Sequence, residues 1–306
     1  MRKVAVALLV TLSALIGVHA AAPAVRPPVV IIFMENKSYA QVLAHSAVLP
    51  YEMALIGQGL RFSNYGSAVH PSLPNYLQVA SGSTCGKDGT DSTAAGQLTA
   101  AVGCGTTVWD QLTSAGFTWG AYMDDMGVAC PVKRGNTVLT ADGGQGDQYA
   151  LKHNPALPFA SVYGGGSAAC KANVVPLTSF DPAALRDVSF ISPGICDDQH
   201  GSKAVLADGT PEFKNCAINS DALYKRGDDW LAAYVPAILA AGAIVFVTYD
   251  GPARPMYAVE VGPGIAAGTV ETGTTFTHCS TLAGLEDRYG LARLGCAASA
   301  TPLPLG

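Results

Sequence analysis

The sequence predicts an α/β fold, a mostly parallel sheet covered by helices on both faces, and three observations carry that expectation. Val29-Val30-Ile31-Ile32-Phe33-Met34 and Ala243-Ile244-Val245-Phe246-Val247-Thr248-Tyr249 are apolar runs rich in β-branched residues, as strands buried on both faces are. Shorter apolar runs alternate with segments of helical spacing, the pattern of crossover connections between parallel strands. Polar residues follow the strands directly, Glu35-Asn36 after the first run and Asp250 after the second. Open parallel sheets bind ligands at that carboxyl edge.

The elements follow in order. Pro50 to Gly59 reads as a helix and Leu60 to Ser63 as a short strand leading to Ser72, at the start of a helix from Pro74 to about Ala80. Gly82 to Gly105 is polar and Gly-rich, a surface loop. Thr107 to Ala115 has helical spacing and stops at Gly116; Phe117 to Tyr122 is a strand running into Asp124-Asp125. Gly127 to Asp187, broken by Gly and Pro clusters, is expected to be mostly irregular and to cover the site rather than build the core. Val188 to Ile191 is a buried strand, followed by Cys196-Asp197-Asp198-Gln199-His200-Gly201. Asp228 to Ala241 is an amphipathic helix with acidic residues in its first turn. Tyr257 to Val261 is a strand, and His278 to Tyr289 a helix stopped by Gly290. With no internal repeat and no linker, residues 21–306 are expected to form a single domain.

Residues 1–20 stand apart. Arg2 and Lys3 precede an apolar run from Val4 to Val18, and Val18-His19-Ala20 fits a small-residue cleavage site, so a secretory signal peptide is expected. The run is short for a bilayer span, so the expected product is secreted or periplasmic, without stable membrane insertion. A net charge of −5 and the lack of any Lys/Arg cluster argue against nucleic acid as a partner. Eight cysteines in an exported chain imply up to four disulfides, and none forms the Cys-x-x-Cys pair of a zinc knuckle. Sequence-local pairs are expected, Cys85–Cys104 and Cys279–Cys296 among them.

Three strand ends deliver groups suited to a divalent cation: Glu35 and Asn36, Asp197 or Asp198 with His200, and Asp250. Mixed oxygen and imidazole donors leave zinc, manganese, iron and calcium all open. Such an ion would activate a hydroxyl or water and clamp phosphate oxygens as charge builds. Ser72 at a helix start is the nearest hydroxyl in pattern, where the helix N-terminus also favours an anion. Each residue has a plainer reading: Ser72 as a helix cap, Asn36 as a turn residue, His70 and His278 as hydrogen-bonded histidines. The combination points to metal-assisted phosphoryl transfer.

Met34-Glu35-Asn36, His70-Pro71-Ser72-Leu73-Pro74-Asn75-Tyr76-Leu77 with Ser81-Gly82, and Tyr122-Met123-Asp124-Asp125-Met126 open a longer pattern. Lys152-His153-Asn154-Pro155, Asp198-Gln199-His200, Gly227-Asp228-Asp229-Trp230-Leu231, Val247-Thr248-Tyr249-Asp250 and His278-Cys279-Ser280 with Glu286-Asp287-Arg288-Tyr289-Gly290-Leu291 complete it. In order and spacing the chain resembles the bacterial phosphoesterase family of secreted acid phosphatases and phosphatidylcholine-type phospholipases C, within the alkaline phosphatase superfamily. The resemblance implies an alkaline-phosphatase-like three-layer α/β/α sandwich. It implies a divalent metal held by Glu35, Asn36, Ser72 and Asp250, with Ser72 as nucleophile. It places His70 and His200 in catalysis, and His153 and Asp198 at the substrate. One departure stands out: the family carries a second carboxylate after the aspartate, whereas here Asp250 is followed by Gly251-Pro252-Ala253-Arg254. Arg254 is then expected to fork onto the substrate phosphate.

These readings converge on an acid-phosphatase-type phosphomonoesterase acting on a small-molecule or lipid-headgroup phosphate ester. A phospholipase C-type phosphodiesterase is the second expectation, and a catalytically weakened phosphate- or headgroup-binding protein the third.

Overall fold

The computed structural model describes residues 26–91, 104–131 and 148–306, apart from 204 and 207. The expected signal peptide and parts of the 82–105 and 127–187 segments lie outside them. The strands are β1 (Val29–Met34), β2 (Leu60–Phe62), β3 (Trp119–Met123), β4 (Val174–Pro176), β5 (Val188–Ser192), β6 (Ile244–Tyr249), β7 (Ala258–Val261) and β8 (Thr269–Glu271). They join one sheet in the order β4-β3-β5-β1-β6-β7-β2-β8. β1 runs parallel to both neighbours, with Ile32 opposite Ile191 and Met34 opposite Tyr249. β7 runs antiparallel to β6 and β2, so the sheet is mixed only on that side.

Every residue of β1, β5 and β6 is buried, which is why these strands read as continuous apolar runs rather than alternating ones. The helices are α1 (Tyr39–Ala44), α2 (Pro50–Gln58), α3 (Ser72–Ser81), α4 (Val108–Ser114), α5 (Ala160–Tyr163), α6 (Ala168–Asn173), α7 (Asp221–Ala240) and α8 (His278–Tyr289). α3, α4 and α8 pack together as one layer, and α2 packs on α7 as another. Phe33 of β1 meets Tyr76 and His278 from the first layer, while Tyr249 of β6 meets Glu52 of α2. The expected sandwich is therefore present.

Two readings need correction. The segment from Gly127 to Asp187 is not mere cover: it supplies β4 to the sheet and buries Leu151, Leu157 and Phe159 in the core. α7 begins at Asp221 rather than Asp228, with the Ser220 side chain accepting from the Leu223 amide as its cap. Asp228 is acidic for a different helix: its carboxylate accepts from the Tyr51 and Glu52 amides in the first turn of α2, at 3.1 and 2.7 Å. Four disulfides join described residues, Cys85–Cys104, Cys130–Cys170, Cys196–Cys216 and Cys279–Cys296, all local in sequence. No helix among the described residues is long and apolar enough to cross a membrane.

Gly227 sits inside α7 because the helix there lies against the loop that follows β5. A Cβ at this position would stand 2.5 Å from Gln199 Cγ and 2.9 Å from the Asp197 carbonyl oxygen. Gly227→Ala gains about 1 kcal/mol of helix propensity, but overpacking this buried contact costs about 1–3 kcal/mol. The expected net effect is a loss of up to about 2 kcal/mol, read as a lower urea midpoint at unchanged slope.

Candidate active site

The in-register parallel pairing of β1 and β6 brings Glu35 and Asp250, the residues just past their ends, side by side. Asn36 takes a left-handed turn (φ 57°), which an asparagine tolerates, and its amide donates to Asp250 Oδ1 at 2.9 Å. Its side-chain amide donates to Glu35 Oε2 at 3.2 Å. Beyond β5, the Asp198 carbonyl accepts from the Glu35 amide at 2.8 Å, which ties the third strand end to the first. Asp198 Oδ1 in turn accepts from the His200 amide at 2.7 Å.

Ser72 is the first residue of α3, not its cap; Pro71 holds that place. Its hydroxyl donates to Glu35 Oε2 at 2.9 Å. Asn75, one turn on, accepts from Ser67 Oγ at 2.6 Å and donates to the carbonyls of Val69 and Pro71, which fixes the approach to Ser72. Tyr76 donates to Glu35 Oε1 at 2.6 Å and stacks on the His153 ring. His153 lies between two carboxylates, Nε2 at 3.3 Å from Glu35 Oε1 and Nδ1 at 3.0 Å from Asp198 Oδ2. Neither nitrogen meets hydrogen-bond geometry there. His200 Nδ1 lies 2.8 Å from the Gly201 carbonyl, an acceptor, so Nδ1 carries a proton.

Glu35, Asp198 and Asp250 are at most 1% exposed. Burial raises the pKa of all three; Asp250 and Asp198 push Glu35 further up, and Asp250 itself is raised to about 6. Burial first, then the nearby Lys152 and His200, holds His153 well below its ordinary value, so its ring is neutral. A neutral imidazole has one N–H and cannot donate to both carboxylates that face it.

The site thus gathers more buried negative charge than its cations offset, and Asp198 Oδ2 and Asp250 Oδ2 have no hydrogen-bond partner among the described residues. That donor set fits a divalent cation. Ligand atoms of Glu35, His153 and His200 lie within 4.8 Å of one another, the spacing of a coordination sphere.

Not every expected residue joins the cluster. His70 is exposed, with no side-chain hydrogen bond among the described residues, and only its carbonyl is engaged, by Gly89. Arg254 is exposed too, donating to Asn64 and to the Gly66 carbonyl at 3.5 and 3.3 Å. Asp197, neighbour of Asp198, is held by Arg226 at 2.7 and 3.0 Å. His278 Nε2 donates to the Asp250 carbonyl at 2.5 Å and Nδ1 faces the Tyr65 hydroxyl, so this ring supports the backbone.

Lys37, Tyr76 and Lys152 are site neighbours that the sequence reading assigned no role. Lys37 is buried over the Tyr224 ring; burial lowers its pKa, while Asp198, Glu35 and Asp250 act against that. Lys152 Nζ and the Leu73 amide both donate to Asp91, at 3.2 and 3.0 Å, beside Ser72. The signal was adjacency: all three lie inside or next to the motifs that supplied Glu35, Ser72 and His153.

Residues 46–217 match the Phosphoesterase family. The chain is 27% identical over 300 residues to a phosphatidylinositol-3-phosphatase of Mycobacterium tuberculosis, covering 94% of this chain and 85% of that one. It is 28% identical over 264 residues to a phosphate-repressible acid phosphatase of Penicillium chrysogenum, covering 79% of this chain but only 54% of that longer protein. Among solved structures, an alkaline phosphatase superfamily protein from Vibrio parahaemolyticus superimposes with a TM-score of 0.54 at 13% identity, over 91% of this chain and 70% of that one. With that fold and that match over more than half its length, the chain belongs to the Phosphoesterase family, hydrolases of phosphoric ester bonds.

Proposed function

We propose that this protein is an exported, metal-dependent phosphomonoesterase of the acid phosphatase kind, with Ser72 as its nucleophile. The observation that carries the reading is the Ser72 hydroxyl bonded to Glu35 inside a buried, under-neutralised carboxylate cluster. Glu35, Asp250 and Asn36 would hold a divalent cation, with His153, His200 and Asp198 beside it. When bound, that cation supplies charge neutralisation for the phosphoryl oxygens and lowers the pKa of a coordinated hydroxyl.

The chain's own groups do the rest. Glu35 accepts the Ser72 proton as Oγ forms a bond to phosphorus and the ester P–O bond breaks. The leaving alcohol takes the Nε2 proton of a protonated His200 at the rim, and water then cleaves the phosphoserine. The Leu73 amide and Lys152 Nζ hold the Asp91 carboxylate at the start of α3, an anion position that a phosphoryl oxygen would have to take over from Asp91. Positioning and charge neutralisation suffice for such a transfer. Asp198 stands in the site while a carboxylate is missing at position 251, which supports catalysis over a binding-only role. A phosphatidylinositol-3-phosphatase and an acid phosphatase among the relatives support a phosphate monoester as substrate, a lipid headgroup phosphate included.

Ser72→Ala, with an unchanged circular dichroism spectrum, is expected to lose nearly all turnover of p-nitrophenyl phosphate. Normal turnover in that variant would refute the nucleophile. Chelator-stripped protein is expected to lose activity and recover it when one divalent metal is restored; full activity after stripping rules out metal dependence. Faster hydrolysis of a choline phosphodiester than of the monoester would favour the phospholipase reading instead.

A further inference from the structure

A second buried polar cluster lies across the sheet from Ser72. Glu52 of α2 is fully buried among Gln199, Tyr249, Tyr257 and the backbone of Tyr224. None of these groups touches the substrate side, yet two of them are sequence neighbours of site residues. Gln199 separates Asp198 from His200, and Tyr249 precedes Asp250.

The distances fix the protons. Gln199 Nε2 lies 2.6 Å from Glu52 Oε1 and 3.1 Å from the Tyr224 carbonyl; both partners are acceptors, so the amide orientation is settled and both its hydrogens are used. Gln199 Oε1 must then accept, and the Tyr249 hydroxyl donates to it at 2.6 Å. That spends the only hydroxyl hydrogen of Tyr249, yet Glu52 Oε2 also lies 3.1 Å from the same oxygen. The contact is a hydrogen bond only if Glu52 is the neutral acid and donates. The result is a closed ring: Glu52 to Tyr249, Tyr249 to Gln199, Gln199 back to Glu52. Burial pushes the Glu52 pKa up to about 8, in the same direction.

We propose that Glu52 is a positioning residue, which through this ring clamps the loop carrying Asp198 and His200 to the strand end carrying Asp250. Gln199 needs the clamp, because its backbone sits in the left-handed region (φ 69°), which puts the two flanking side chains on the site. Outer-shell partners that orient ligands typically cost 10–100-fold in metal affinity or activity when removed.

The test rests on the metal-dependent reading above and uses the full chain with Mn²⁺ alone in calorimetry, then p-nitrophenyl phosphate turnover. Glu52→Gln keeps the ring, its amide donating to Tyr249 and its carbonyl accepting from Gln199. It is expected to stay within about threefold of wild type, against the roughly 10–100-fold loss in Mn²⁺ affinity or kcat expected of Glu52→Leu. Tyr249→Phe, which removes one hydroxyl and little volume, provides the same comparison if Glu52→Leu does not fold, with an expected loss of about tenfold.

Stability against pH is the readout that packing alone would not move. A carboxyl raised in the folded state binds a proton that the unfolded chain has lost. Its contribution is therefore full below the usual glutamate range and declines as pH rises through about 8. Asp228 faces Glu52 through the first turn of α2, and Tyr257 and Tyr249 face it from the sheet; Glu52→Gln leaves all three in place and is expected to flatten that decline. Wild-type Mn²⁺ affinity and kcat in Glu52→Leu, or a Glu52→Gln variant as impaired as Glu52→Leu, overturns the positioning role alone. A wild type that neither binds Mn²⁺ nor depends on any metal overturns this inference and the metal-dependent reading together.

Discussion

Burying three carboxylates at one sheet rim is the constraint from which the rest of the site follows. Glu35, Asp198 and Asp250 reach the rim because β1, β5 and β6 are adjacent, parallel and in register. Desolvating each ion costs several kcal/mol, even after a protein relaxes around it. The surrounding donors read as a response to that cost: the Asn36 amide on Asp250, Tyr76 and Ser72 on Glu35, the His200 amide on Asp198. They satisfy some lone pairs and leave others. At this rim Asp198 Oδ2, Asp250 Oδ2 and both His153 nitrogens stay without hydrogen bonds to the described residues. An arrangement of acceptors aimed at acceptors is unfavourable alone and favourable around a cation.

The same rim is held from the opposite face of the sheet. Asp228 and Glu52 are both acidic and both buried, yet they do different work. Asp228 accepts two amides at the start of α2, the interaction a helix N-terminus favours. Glu52 meets no cation among the described residues, and its neighbours are satisfied only when it keeps its proton. The β6 strand thus presents a charged residue to one side, Asp250, directly after a residue locked into a neutral network on the other, Tyr249. Alternation of side chains along a strand makes that division automatic.

Much of this was legible in the sequence, and the reasons differ by residue. β1 and β6 were plain because strands buried on both faces leave unbroken apolar runs, and whatever follows them must lie at the carboxyl edge. Glu35, Asn36, Asp198 and Asp250 could therefore be named, and Ser72 with them, from a helix start in a matching motif. β4 and β8 were not assigned: each is three residues long, too short to show a period, and β2, equally short, was assigned from its place before Ser72. The start of α7 was misplaced because Asp228-Asp229 carries the charge of a first turn while serving another helix. His70 and Arg254 were put at the substrate on motif and charge, and the fold leaves both exposed, Arg254 on the Gly66 carbonyl. Glu52 left no sign: one acidic residue in a short helix looks solvent-facing until the sheet is assembled over it.

Position 251 shows how backbone and charge are traded at this rim. The family pattern that the sequence resembles carries a carboxylate there; this chain has glycine at φ 137°, a conformation other residues rarely adopt. A Cβ would also stand 3.1 Å from Ser67, whose hydroxyl is committed to Asn75 at the base of α3. The backbone that holds Ser72 in place therefore leaves little room for a side chain at 251. One fewer anion weakens the hold on a cation, since affinity follows the count of charged ligands. It also lowers the repulsion that an incoming phosphate dianion meets, in a site where desolvation magnifies every charge. Lys37 and Lys152, both buried beside the cluster, act in the same direction on the substrate. Under the proposed metal-dependent reading, the rim gives up cation affinity and becomes less hostile to a phosphate.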